Sequence, residues 1–146
     1  MIYLLDTNIV SETSKPRPNL GVIAWLESVS IRDTALSVVT LGEIERGLLN
    51  TPDPTRRQRL EAWYRQDLLP QFAGQVLDVT HPVMTEWARL VQAARSAGQT
   101  PGTLDALIAA TASTHGLIVV TRNVGHFKML GVPTPVSYTH LTLPTT

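Results

Sequence analysis

The sequence predicts an α/β domain, a three-layer sandwich with a short, mainly parallel central sheet flanked by helices. Four short apolar runs recur along the chain, at residues 2–5, 34–38, 76–79 and 117–120. Between them lie longer segments with apolar residues at helical spacing, and strands alternating with helices are the pattern of a buried parallel sheet. The composition agrees: 146 residues, 43% hydrophobic and 16% charged, can bury one core and exclude a wholly disordered or collagen-like chain.

The first run ends at Asp6, and Asp6-Thr7-Asn8 is cap chemistry for a short helix reaching Glu12. Pro16 and Pro18 break that helix. Asn19 then caps a second one, in which Leu20, Ile23, Ala24 and Leu26 keep roughly helical spacing. After the strand at 34–38, a helix from Thr40 to Leu49 places Leu41, Ile44 and Leu48 on one face, and Pro52 and Pro54 end it. A charged helix spans 55–69 and is expected to stop at Pro70. The strand at 76–79 precedes a helix that opens at Pro82 and runs to Ala97. A loop at 98–102 leads to a strongly apolar helix, 103–115, with Gly116 as its stop. The last strand, 117–120, runs into Thr121-Arg122-Asn123.

Residues 136–146 form an uncharged run without helical period. From Val136 to Thr146 it resembles the translation of a transposase-type sequencing adapter. The expectation is therefore a folded domain over 1–135, a non-native tail over 136–146, and a natural chain that diverges near residue 135.

Twelve Lys+Arg balance twelve Asp+Glu, so no global field draws the chain to nucleic acid or membrane, and a polyanion has to be met by a local patch or a metal. The absence of cysteine excludes disulfides, thiolate nucleophiles and cysteine zinc sites. The first residues have no basic n-region, and no apolar stretch approaches the ~18–20 residues that span a bilayer. These features lead us to expect a cytoplasmic protein without membrane contact.

In open parallel sheets, sites form at the carboxyl ends of strands. Asp6 stands at one such end, where an ordinary helix cap explains it equally well. Asp105 lies in the first turn of an apolar helix, and the helix dipole again accounts for an acid there. Yet Ile108, Ala109 and Ala112 follow it at helical spacing, so Asp105 tops a core-facing stripe and needs a cation or donors. Glu43 has Glu45 and Arg46 beside it, the mark of a solvated face. Its neighbours one turn away, Val39, Thr40, Arg46 and Gly47, do not make a polar face. Three acids converging on one crevice would repel each other unless a divalent cation joined them, and all-oxygen ligands suit Mg²⁺ or Mn²⁺.

Four ordered motifs carry a family resemblance: Leu4-Leu5-Asp6-Thr7-Asn8, Thr40-Leu41-Gly42-Glu43-Ile44, Asp105 to Ala112, and Val119-Val120-Thr121-Arg122-Asn123. In order and spacing the chain resembles PIN-domain ribonucleases over residues 1–135. It is most similar to VapC-type toxins of toxin–antitoxin pairs, in the subgroup with a Gly-Glu-Ile-Glu-Arg-Gly stretch, here Gly42 to Gly47. The resemblance implies that Asp6, Glu43 and Asp105 bind Mg²⁺, with Mn²⁺ as a substitute, and that they catalyse hydrolysis of RNA phosphodiesters to 5′-phosphate and 3′-hydroxyl ends by metal-activated water. It also implies a cognate antitoxin that wraps the protein and blocks its acids, a homodimer within that complex, and DNA contact only through the antitoxin. The family's fourth acid falls at Asn123, which can offer a carbonyl oxygen but no charge.

Local cations are the candidates for RNA: Arg46, Arg122, Lys15 and Arg17, together with the Arg56-Arg57-Gln58-Arg59 run and Arg65, for which a solvated helix face is the plainer account. The histidines lack metal-pair spacing and are given no catalytic role. Trp25, Trp63 and Trp87 read as core or interface anchors. A dehalogenase-type phosphotransferase would need a second acid where Asn8 stands, and a receiver domain would need a phospho-acceptor where Asp78 lies inside a strand. A PIN-like subunit that holds metal weakly and acts through its partner is the stronger alternative, and Asn123 is the residue that favours it.

Overall fold

The structure, a computed structural model, describes residues 1–134. The boundary near residue 135 and the adapter-like run at 136–146 lie outside the described residues. Strands β1 (Tyr3–Leu5), β2 (Thr34–Ser37), β3 (Val76–Leu77) and β4 (Ile118–Val120) form one sheet in the order β3-β2-β1-β4. All three pairings are parallel. In register, Leu4 lies opposite Ala35 on one side and Val119 on the other.

Helices cover both faces of this sheet, and alternate residues of its short strands serve opposite layers. Leu4, Ala35 and Val119 face one core, with Ile108, Ala109 and Phe127. Leu5, Leu36 and Val120 face the other, with Val22, Ile44 and Tyr64. The first layer is closed by α6 (His81–Ser96), α7 (Thr103–His115) and α8 (Val124–Lys128). The second is closed by α1 (Thr7–Val10), α2 (Leu20–Ser28), α3 (Val38–Leu49) and the helical run that begins with α4 (Pro54–Ala62). Helices on both faces of a parallel sheet are the expected three-layer sandwich.

The caps fall where the residue chemistry placed them. Asn19 Oδ1 accepts from Val22 N at 3.0 Å, and Gly116 takes the left-handed conformation (φ 67°) that ends α7. Differences have local causes. Val38 belongs to α3 rather than to the second strand, because the Ser37 hydroxyl accepts from Val39 N and starts the helix there. Asp78 and Val79 lie beyond β3, which pairs only through Val76 and Leu77. Pro70 does not stop the charged helix. A π-helical turn over Trp63–Leu68, in which Leu69 N donates to Tyr64 O, widens the helix, and Pro70 follows within a further short turn, α5 (Leu69–Gln71). Proline is tolerated in a first turn, where its missing N–H goes unused. Among the described residues, no helix is long and apolar enough to cross a membrane.

Candidate functional site

The carboxyl end of β1 delivers Asp6 into the crevice between β1 and β4. Its backbone N–H donates to Val120 O at 2.9 Å, extending the strand pairing by one residue. The side chain is 4% exposed. Oδ1 accepts from Thr7 N and Oδ2 from the Thr121 hydroxyl, both at 2.8 Å. Asp6 is therefore a helix cap, as the plainer account of it required. Burial also pushes its carboxyl up to about 6; the bonds from Thr121 and Thr7 oppose that rise, and the charges of Asp105 and Glu43 add to it. Asp105 and Glu43 thus both lie within electrostatic reach of Asp6.

Each of the other two is held by its own donor. Glu43, on α3, accepts from the Thr7 hydroxyl at 2.6 Å. Asp105, in the first turn of α7, has Oδ2 at 3.0 Å from His126 Nδ1 on α8. Ile108, Ala109 and Ala112 below it are fully buried, so the carboxylate does top a core-facing stripe. Among the described residues, no three His, Asp or Glu side chains are placed to share one metal ion. In chemical type the three carboxylates suit a hard divalent cation, and one of them is destabilised as an anion chiefly by its own burial and further by the charges of the other two.

Thr121 is the hub of the site. Its hydroxyl, 1% exposed, donates to Asp6 and accepts from Asn123 N at 2.9 Å and from Asn8 Nδ2 at 3.4 Å. Asn123 itself is exposed at the start of α8 and caps it with no side-chain bond. It adjoins the cluster through its backbone, at one remove from Asp6.

The predicted cations divide. Lys15 and Arg122 both pair with Glu12, a buried carboxylate that also accepts from Asn19 N at 2.7 Å. Burial works against its charge, but these bonds and the two cations outweigh it and hold the Glu12 carboxyl below its ordinary value. Arg46 is exposed and lines a cleft of about 520 Å³ with Glu43, Gly42, Gly47 and Leu104. Arg17 is exposed on the proline loop. On the other side of Glu43, a second cleft of about 330 Å³ is lined by Thr7, Lys15, Arg56, Arg59 and Trp63. Arg65 pairs with Glu61 instead.

Sequence reasoning passed over Glu12, Thr121, Thr7 and His126 as site residues. The only trace of the first was a Glu with Lys15 three residues on. Thr7 and Thr121 stood inside motifs whose acids drew the attention, and His126 was read as lacking a metal partner. Trp25 is a core anchor, edge-on to Tyr3 with centroids 5.1 Å apart, whereas Trp63 lies half-buried along the second cleft.

A PIN domain family model matches residues 3–130. The chain is 38% identical over 126 residues to "Toxin FitB" of Neisseria gonorrhoeae, covering 86% of this chain and 91% of that protein. It is 35% identical over 131 residues to "VapC ribonuclease Y4jK" of Sinorhizobium fredii, covering 90% and 94% respectively. Among solved structures, a chain of "Crystal Structure of FitAcB from Neisseria gonorrhoeae" superposes with a TM-score of 0.89 at 35% identity, covering 95% of this chain and 99% of that one.

Proposed function

The chain belongs to the PIN-domain family, and from that premise we propose that it is a Mg²⁺-dependent endoribonuclease acting as the toxin of a toxin–antitoxin pair. Relatives named as a VapC ribonuclease and a FitB toxin support the class of activity. The observation that carries the reading to this chain is the bonding of Thr7, whose N–H donates to Asp6 and whose hydroxyl donates to Glu43, tying two of the acids together at the end of β1. Asp105 reaches the same end of the sheet from α7, and its charge adds to the rise of the Asp6 carboxyl that burial causes.

Asp6, Glu43 and Asp105 would hold the ion, with Mn²⁺ as a substitute. A divalent ion so held supplies Lewis acidity, which lowers the pKa of a water and offsets charge gathering on a phosphodiester. The protein's own part is positioning. Thr121 and Thr7 fix both oxygens of Asp6, Thr7 also orients Glu43, and His126 holds Asp105. Arg46 stands beside Glu43 to meet a phosphate, while Lys15 and Arg122 would serve the RNA with their charge shared by Glu12.

Cleavage of single-stranded RNA with Mg²⁺, with and without EDTA, tests the reading. Activity should vanish with EDTA and in Asp6→Asn and Asp105→Asn. Cleavage that persists in both variants overturns it. We further propose a cognate antitoxin that covers the acids, a homodimer within the complex, and DNA reached only through the antitoxin. The second reading, a PIN-like subunit that binds metal weakly and regulates through its partner, is favoured by one observation: Asn123 brings no fourth charge and is exposed. Antitoxin binding without any metal-dependent cleavage would select it.

A further inference from the structure

Trp63 lies half-buried at the edge of the second apolar layer. It opens the π-helical turn after α4, packs one side against the second layer, and lines the 330 Å³ cleft beside Glu43. It also lines an adjoining cleft of about 480 Å³ that shares Ser14, Lys15, Pro16 and Arg59 with the first. Its indole N–H donates to Thr13 Oγ1 at 2.9 Å, which fixes the ring plane. Arg59 Nη1 donates to Ser14 O at 3.3 Å and holds α4 over the same segment.

The charge around this ring is one-sided. Lys15, Arg56 and Arg59 line the inner cleft, and Glu43 is its only acid. Asp67 lies in the outer cleft. Lys15 is engaged with Glu12, but among the described residues neither Arg56 nor Arg59 has a carboxylate partner. An ordered aromatic plane, flanked by unpaired guanidiniums and continuous with an acidic site, is how single-stranded nucleic acid is held without base-edge readout. An acidic peptide would use the cations and leave the aromatic plane without a role.

We infer that this double cleft is a nucleotide subsite: a base of single-stranded RNA flanking the scissile bond stacks on Trp63, and its backbone phosphates pair with Arg56 and Arg59. The inference rests on the ribonuclease reading and adds the path the strand takes from Glu43 across α4. It assigns α4, otherwise a solvated charged helix, to substrate binding.

Binding of a single-stranded oligoribonucleotide of about six nucleotides, measured in EDTA so that no cleavage occurs, tests it. Trp63→Ala should weaken binding about tenfold, while Trp63→Phe, which keeps a stacking plane, should restore most of it. Should Trp63→Ala fail to fold, the double variant Arg56→Gln/Arg59→Gln changes only exposed groups. It should lower the slope of log Kd against log salt by about 1.4, because each lost phosphate contact removes about 0.7 on a single strand. Arg95→Gln, on α6 away from the cleft, should leave both quantities unchanged. Unaltered affinity and salt slope in the double variant, with metal-dependent cleavage intact, would overturn the subsite and leave the ribonuclease reading standing. Absence of both binding and cleavage in the wild type would remove both. Binding of a polyglutamate peptide that requires Trp63, with no oligoribonucleotide binding, would reassign the cleft to a protein partner.

Discussion

The hydroxyl of Thr7 donates to Glu43 Oε1 at 2.6 Å while the backbone N–H of the same residue donates to Asp6 Oδ1 at 2.8 Å. One residue thus addresses two acids, its immediate neighbour Asp6 and Glu43, which lies 36 positions further along the chain from Thr7. It fixes the angle at which α3 presents its carboxylate to the end of β1.

Removing the hydroxyl should release Glu43 without touching its charge. Thr7→Val is expected to weaken Mn²⁺ binding several-fold, since a charge-assisted hydrogen bond is worth roughly 1.5–3 kcal/mol and only part of that orients the ligand. Thr7→Ser should recover most of the loss. Calorimetric titration of the three proteins with Mn²⁺ reads the effect directly; equal affinities would show that Glu43 needs no orienting.

The raised Asp6 carboxyl makes a pH prediction. A group whose folded pKa lies near 6 against an ordinary value of 3.8 binds more protons folded than unfolded between those limits. Its contribution to stability is therefore full below about pH 4 and lost as pH rises through about 6, by on the order of 3 kcal/mol. Glu86, pulled down to about 2 by Arg89 and the Ser113 hydroxyl, acts in the opposite sense and only at lower pH. Denaturant titrations without metal should show stability falling from pH 4 to 6, and this slope should disappear in Asp6→Asn.

Metal should reverse that loss. Saturating Mn²⁺ at pH 7 is expected to raise the Tm of the wild type, because a ligand that binds only the folded state stabilises it by mass action. Asp6→Asn should gain little. An equal rise in both proteins would place the ion elsewhere.

Asn123→Asp adds a fourth carboxylate at an exposed position next to the network centred on Thr121. Its repulsion is screened by solvent, so metal-free stability should change by less than about 0.5 kcal/mol. Mn²⁺ should bind more tightly and cleavage at limiting metal should rise. Unchanged affinity would mean that residue 123 does not face the ion.

The Thr40 hydroxyl is buried without a hydrogen-bond partner among the described residues. Thr40→Val keeps the shape and removes the desolvated oxygen. It should stabilise the protein by about 1 kcal/mol, a Tm rise of about 3 °C for a chain of this size. A lower Tm would reveal a partner that the static structure does not display.

What could be read from the sequence was what is local. Asp6 after an apolar run, Asn19 ahead of a helical period and Gly116 at a helix end each carry their conformation in their own chemistry, and the structure places them accordingly. The acids could be named for the same reason: each stood at a strand end or on an apolar stripe. Glu12, Thr121 and His126 could not be, because their roles depend on partners brought together by the β1–β4 pairing and by α8. No period in a single segment encodes a contact across 110 residues, the separation of Glu12 and Arg122. The π turn before Pro70 was likewise invisible, since residue spacing alone does not distinguish a widened helix from one that a proline ends.

The neighbour order of the sheet sets a schedule on the ribosome. β2, one neighbour of β1, is complete at residue 37, but the other edge of β1 waits for β4, and Asp6 waits for Thr121 to donate to its second oxygen. A nascent chain therefore carries the first acid from the outset and lacks the third until residue 105 has been made.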